Sequence, residues 1–546
     1  MAAFFLNIPV KKIFLLFTIL LAFASCYSQE YQWAKAAGWI GQDAARAVAV
    51  DDDGNVYVAG QYGGYSQFDT IFCYGNGTYE AFLAKYNSTG EIQWVKHAGG
   101  PNEDYATGVC IDTGGFIYIT GYFLDSIFFD DLKLESADLN DIFIAKYSPA
   151  GELVWAKSAG GRGDDKGYAI TADPQGNVAI AGQFTGTANF DLNFVSSSGD
   201  YDSFLAKYGN NGICQWVKKG GGSNDDAAKG IGSDAAGNFF ITGYIYGSTL
   251  FDTVHLSTTS PTSTDIFIAK YRPWGDFVWI KKCDSYLGDN PYAIATDWQG
   301  NSYLTGYFQN ETTFGNHTIQ AHGYNDAFLT KYNPDGNCEW AKAVGGNDLD
   351  VGTAVCVDNF GSVYLTGFFD SAIVFQDTTY IAADYEVFIA KYWWNGDEIW
   401  TQIGGGAGND FGNAIGVNKT GELAVAGFYN LYGYFGDYVL PLTQQQDIFV
   451  TKLSNTVGIK EETKKSFASI YPNPGKGDFI IEAPFEKNQL LNISATDAWG
   501  MIIFSSVELP QNNKIKLSMD LICDGIYFLN AYNNSQSFSG KFIVNR

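Results

Sequence analysis

The chain has 546 residues, a formal net charge of −26 and 16% aromatic residues. That charge argues against nucleic acid and against an anionic membrane surface as partners. With only 17% charged residues, the sequence is not a disordered polyanion. It is too long for one ordinary core unless it is a repeat array.

In chain order, Lys11 and Lys12 precede the apolar run "IFLLFTILLAFAS" (13–25). This run has the length of a signal-peptide core and is short for a membrane span. We assign residues 1–28 as a signal peptide, with small Ser28 before Gln29; the alternative makes Cys26 a lipidated N-terminus. No later segment is long and apolar enough for a transmembrane helix.

Seven stretches then repeat, from "DDDGNVYVAGQY" (51–62) to "NKTGELAVAGFY" (418–429). The tryptophans Trp33, Trp94, Trp155, Trp216, Trp279, Trp340 and Trp400 mark a period near 61 residues. Such a period signals a propeller, a solenoid or an array. Ten residues after each Trp stands Asp: Asp43, Asp104, Asp165, Asp226, Asp289, Asp350 and Asp410. Offsets fourteen and sixteen are small and offset fifteen is Val or Ile. This is a period-two strand with no polar face, so both faces need covering. Next comes a D-x-x-G-N-like turn, in which Asp caps its own turn and Gly takes positive φ. A second strand follows, then a Phe at offset thirty-five (Phe68 to Phe435) and a third strand such as "AFLAKY" (81–86). A fourth strand carries the next Trp, as in "EIQWVKHAG" (91–99).

These counts predict an all-β chain: a seven-bladed β-propeller of four-stranded blades over 29–458. "YQWAKAAG" (31–38) is an orphan fourth strand, and the last repeat lacks one after Leu453. Closure by the N-terminal strand reconciles the two and removes free edges. The pattern W-x-K…D…D-x-x-G-N-x-Y-x-x-G…F-x-A-K-Y resembles the bacterial SBBP repeat over roughly 31–455, a resemblance that implies a β-propeller and no particular chemistry.

A charged linker, 459–468, leads to alternating strands with Gly and Pro turns over 469–546, expected as a small β-sandwich. Tyr471-Pro472-Asn473-Pro474, Asp497 with Gly500, Gly525-Ile526-Tyr527 and Lys541 resemble the type IX secretion C-terminal sorting domain, type A. That resemblance implies partnership with the type IX machinery, export from a Bacteroidota-like bacterium, and release or surface attachment after removal of the tail.

The seven Asp are read as repeat-structural acceptors in the loops joining blades. Weak Ca²⁺ binding by nearby acids is the competing reading; no other cofactor is expected. The third-strand lysines, Lys85 to Lys452, are read as packed stems with paired heads. The cysteines are read as small apolar residues, because equivalent positions of separate repeats lie beyond disulfide reach. With no CxxC and four His, zinc is not expected. Aromatics that break the repeat, Trp274, Trp298, Trp393 and Trp394, are the binding candidates. "DTI" (69–71), "DSI" (125–127) and "DSA" (370–372) resemble Bacteroidota O-glycosylation acceptors and are placed in loops after the second strand. No triad or G-x-S-x-G supports catalysis, and small residues near the axis argue against a catalytic channel. The resulting expectation is a secreted or cell-surface, non-catalytic binder of extracellular protein or glycan. The rivals are a polysaccharide hydrolase or lyase and a structural matrix component.

Overall fold

The computed structural model describes residues 30–376, 378–443, 445–454, 466–467, 469–473, 476, 478–482, 491–497, 502–511, 513–518, 525–532 and 537–545. The proposed signal peptide, most of the linker, Gly500 and Cys523 lie outside them. The described residues form an all-β protein without helix. The chain divides into two compact units, one ending at Val457 and one beginning at Gly458.

The first repeat sets the pattern for the larger unit. Its strands are β1 (Tyr31–Ile40), β2 (Ala44–Val50), β3 (Val56–Tyr62), β4 (Tyr65–Phe68), β5 (Ile71–Tyr74), β6 (Glu80–Tyr86) and β7 (Ile92–Gly99). β2, β3, β6 and β7 pair in that order, all antiparallel. The expected turn chemistry is present between β2 and β3. Asp51 Oδ1 accepts the amides of Asp53 (3.0 Å) and Asn55 (2.8 Å), and Gly54 has φ +78°. Six further four-strand sets follow. The last runs Phe411–Val417, Leu423–Asn430, Gln446–Leu453 and then β1, which supplies the missing strand with Trp33 opposite Lys452 and Ala37 opposite Ile448.

Because both faces of each set are apolar, burial is possible only between neighbouring sets. The first strands lie beside one another in chain order, and β2 also lies beside Phe411–Val417, so each of the seven has two others as neighbours. Each buried cluster accordingly draws on two consecutive repeats, as where Tyr57 and Leu83 pack with Ile119 and Phe143.

The repeat is larger than the four strands expected. A hairpin stands between the second and third strands: β4–β5 in the first repeat, and its counterparts in the others. In the second repeat it is continuous with strands Ile117–Phe129 and Leu132–Tyr147. The hairpin hydrogen-bonds to the fourth strand of the preceding set, as β4 does to β1. The Phe at offset thirty-five is its anchor. Phe68, Phe129, Phe190, Phe251, Phe314, Phe375 and Phe435 are all buried. Each packs on the third-strand Phe of its own repeat, with ring centroids 4.5–5.6 Å apart. The loop placement of "DSI" is thereby corrected: residues 125–127 lie within strand Ile117–Phe129. Asp69 and Thr70 form the turn of the first hairpin.

Polar bonds also join the sets. Trp155 Nε1 and Lys146 Nζ converge on Asn210 O (3.1 and 3.3 Å). Trp216 and Lys207 do the same at Pro273 O, and Trp279 and Lys270 at Pro334 O. Each acceptor belongs to the turn before the next fourth strand. These lysines are thus ties between sets, and six of the seven repeated lysines lie over a second-strand ring, such as Lys270 over Phe240 at 4.9 Å. Some add an acid, as Lys207 does with Asp173 at 2.8 Å.

In the smaller unit, a five-stranded and a three-stranded sheet share a core that includes Phe479, Ile481, Ile493, Leu517 and Phe542. Asn473 fastens the last strand: its Nδ2 donates to Lys541 O (2.9 Å), and Ile543 N donates to its Oδ1 (2.8 Å).

Deleting residues 31–38 removes a strand hydrogen-bonded on both sides. The melting temperature should fall by about 10 °C or more, read by circular dichroism; an unchanged melt would show that this strand does not complete the last set.

Candidate functional site

The seven first strands surround an opening of about 180 Å³. In every one, the register shifts at offset thirteen, the signature of a β-bulge. A bulge leaves one residue unpaired and re-aims its side chain. Here that residue is Arg46, Thr107, Tyr168, Lys229, Tyr292, Thr353 or Asn413, and all seven line the opening. The small residues of offset fourteen and the branched apolar residues of offset fifteen line this opening, as expected near the axis; offset thirteen, polar in all seven repeats, lines it as well.

The seven bulge residues behave in two ways. The short ones tie neighbouring strands: Thr107 Oγ1 donates to Gly167 O (2.8 Å), Asn413 Nδ2 to Ala45 O (2.9 Å), and Thr353 Oγ1 to Gly412 O. The long ones meet aromatic rings. The Lys229 ammonium lies 3.7 Å from the Tyr168 ring centroid and 5.6 Å from that of Tyr244. The Arg46 guanidinium faces Tyr105 at 5.8 Å and its Nε donates to Gln61 Oε1 (2.7 Å). Tyr292 is 45% exposed and packs near Tyr307.

Around these stands a rim of residues from the first and second strands and from the approach to the third strands. Tyr79, Tyr105 and Tyr122 pack in series at 5.5 and 5.0 Å. Phe411 meets Phe368, Phe428 and Tyr385 at 4.2, 4.7 and 5.3 Å. Lys166 bridges Asp164 at 2.7 Å and faces Tyr122. Burial alone would raise the Asp164 carboxyl; hydrogen bonds from Lys166, Tyr201 and Asn140 outweigh it and hold the group below its usual range. Burial, helped by nearby Lys166, pushes the Lys229 ammonium down to about 8. Among the described residues Lys229 forms no ion pair; its company is aromatic. The arrangement offers ring faces and cation heads within one opening, which suits a ligand with apolar CH faces and polar or anionic substituents.

The sequence candidates lie elsewhere. Trp274 and Trp393–Trp394 stand in turns between third and fourth strands, and Trp298 in a turn between first and second strands. They belong to three different sets and are 47–65% exposed. Trp274 Nε1 donates to Asp276 (2.6 Å), and Lys331 faces Trp394 at 5.5 Å. One signal in the sequence marks the opening. Offsets eleven and thirteen vary in chemistry while ten, twelve and fourteen to sixteen repeat.

The seven Asp at offset ten are wholly buried. Asp165 accepts Gly161 N (2.7 Å) and Thr185 N (3.1 Å); Asp226 accepts Gly222 N (2.7 Å) and Tyr246 N (3.0 Å). Each thereby ties the preceding fourth strand to its own repeat. A second acid recurs at the start of the third strand: Glu80, Asp141, Asp202, Asp265, Asp326, Glu386 or Asp447. The two carboxylates converge beside one glycine. A Cβ on Gly160 would meet Asp141 Oδ1 at 2.5 Å and Asp165 Oδ2 at 2.9 Å. Among the described residues no three acidic, His or Cys side chains form a metal-binding group.

Residues 469–545 match the secretion system C-terminal sorting domain. This domain marks the chain for export through the type IX secretion system to the cell surface or outside. An uncharacterized WD repeat-containing protein of Acanthamoeba polyphaga mimivirus is 24% identical over 397 residues, 57% of this chain and 28% of that protein. Regulatory protein FlaEY of Caulobacter vibrioides is 31% identical over 108 residues, 19% of this chain and 11% of that protein. The chain thus spans less than a third of the curated relatives it matches. Among solved structures, the four N-terminal Ig domains of Dscam1 align at 6% identity over 58% of this chain and 96% of that one. Their TM-score of 0.10 gives no bearing on the fold.

Burial dominates the offset-ten acids against their backbone donors. It pushes Asp43, Asp104, Asp226 and Asp350 up to about 8. Asp165, Asp289 and Asp410 rise to about 7. With folded values above unfolded ones, the native state binds more protons between about pH 4 and 8, so stability falls as pH rises through that window. In chelator-treated buffer the melting temperature should be higher at pH 5.5 than at pH 8.5, by roughly 5 °C or more, and Asp226→Asn should flatten the slope. A melt that rises with pH would refute the protonated reading.

Proposed function

We propose that the larger unit is a seven-bladed β-propeller of SBBP type, closed by β1. On this reading it is a non-catalytic binder, carried out of the cell by its sorting domain, that holds an extracellular glycan or protein at the opening of its first strands. Three observations support the architecture: the cyclic adjacency of the first strands, the pairing of β1 with Gln446–Leu453, and a relative named for WD repeats, which build four-stranded propeller blades. The observation that carries the binding role is the bulge. Seven near-identical units present five different residue types at one place, Arg, Lys, Asn, two Thr and two Tyr, and a purely structural repeat has no need of that variety.

A second surface is the set of exposed tryptophans on the turns, Trp274, Trp298, Trp393 and Trp394. A glycan array probed with the full chain separates the two. Ligand recognition through the opening predicts that Lys229→Ala and Tyr292→Ala each weaken the strongest hit about 10-fold, near the 1–2 kcal/mol of a cation–π or ring contact. Trp393→Ala with Trp394→Ala should leave it unchanged. The reverse pattern would move the site to the turns, and reducing ends released from the bound polysaccharide would make the protein a hydrolase or lyase.

A further inference from the structure

The two cations of the opening differ from several others of the chain in what holds them. Lys166 sits on Asp164 (2.7 Å), Lys207 on Asp173 (2.8 Å) and Lys282 on Asp265 (2.6 Å). Arg46 and Lys229 have neutral company. Arg46 Nε donates to Gln61 Oε1 (2.7 Å), and the Tyr168 ring centroid lies 3.7 Å from the Lys229 ammonium. An amide oxygen and a ring face orient a cation without cancelling its charge. Among the described residues neither cation forms an ion pair, and neither Lys229 Nζ nor the terminal amino groups of Arg46 find a hydrogen-bond acceptor.

The wall is equally one-sided. The chain has 59 Asp and Glu against 33 Lys and Arg, yet among the described residues no acid lines the opening. Acids do occur at offset nine, and they are engaged. Glu103 accepts the Tyr105 hydroxyl (3.1 Å), Asp164 is paired with Lys166, and Asp225 accepts the Tyr201 amide (3.4 Å). The short bulge residues also occupy acceptors, since Thr107, Thr353 and Asn413 donate to Gly167 O, Gly412 O and Ala45 O. What remains is positive charge in a confined space, where low-dielectric walls concentrate its field. Arg46 lies on the first of the seven first strands and Lys229 on the fourth. In the cyclic order, two such strands separate them one way round and three the other, so the cations flank the opening from two sides.

We propose that the ligand of the opening is an acidic glycan, a sugar chain bearing carboxylate or sulfate groups. This deepens the reading of the opening as the binding site and rests on it. The terminal amino groups of Arg46 form a fork for two oxygens of one acidic group. The Lys229 ammonium meets another as a point charge. Exposed Tyr292 offers a ring face to the CH face of a sugar. That face favours a sugar over an acidic peptide, whose charged side chains carry no comparable flat CH surface.

Calorimetric titration of the full chain tests this with two probes, oligogalacturonate and a sulfated galactan oligosaccharide. Each is compared with its neutral counterpart, the methyl ester or the desulfated chain, which separates carboxylate from sulfate. At least one charged form should bind saturably, about 10-fold or more tighter than its neutral counterpart. Arg46→Gln and Lys229→Gln should each weaken the charged form about 10-fold and leave the neutral form unchanged; should one variant misfold, the other decides. Neutral forms bound as tightly as charged ones, and lost in Tyr292→Ala, would keep the opening as the site and overturn its acidic ligand. Charged forms bound equally well by every opening variant, or no binding of any form, would overturn both readings. Polyglutamate bound more tightly than either sugar, with the same dependence on Arg46 and Lys229, would overturn the glycan in favour of an acidic protein segment.

Discussion

No set of four strands in this chain can be buried alone. Small residues on one face and branched apolar residues on the other leave nothing for water, so each set is stable only between two others. The rest of the structure follows from that demand. The clusters around Tyr57, Tyr118 and Tyr303 each join consecutive repeats, and the seven first strands each have two neighbours. The chain begins its described part with a fourth strand, which the last set needs.

Apolar contact is non-directional, so polar ties decide how neighbouring sets meet. Trp and Lys side chains share one turn carbonyl at one end of the strands. At the other, buried aspartates gather amides from two repeats, and the hairpin adds backbone bonds. These ties repeat because the geometry repeats. Chemistry is free to differ only where a side chain leaves the contact surface, and the bulge at offset thirteen is such a place.

Much of this was legible in the sequence. Period-two patterning located the strands, D-x-x-G-N located the turns, and the orphan fourth strand at 31–38 announced its pairing with 446–453. The acceptor role of Asp165 and Asp226 followed from their sevenfold recurrence. What stayed hidden depends on partners from different repeats. Phe68 and its equivalents recur visibly, yet the hairpin they anchor pairs with the preceding set, and no local period reports that. A bulge changes register without changing composition, so Lys229 and Tyr168 read as ordinary strand residues until the ladder is seen. The acids Asp43 and Asp447 lie at opposite ends of the repeat array and meet only because β1 joins the last set. The irregular tryptophans drew notice because they interrupt the repeat, and they interrupt it at turns, where interruption is cheapest.

The account stands most directly on the sets returning upon themselves. Single-particle imaging of the full chain tests this. The account predicts projections with seven spokes around a central opening. An open curved array, or a count other than seven, would contradict it, and would leave the bulge residues strung along a surface instead of gathered around one site.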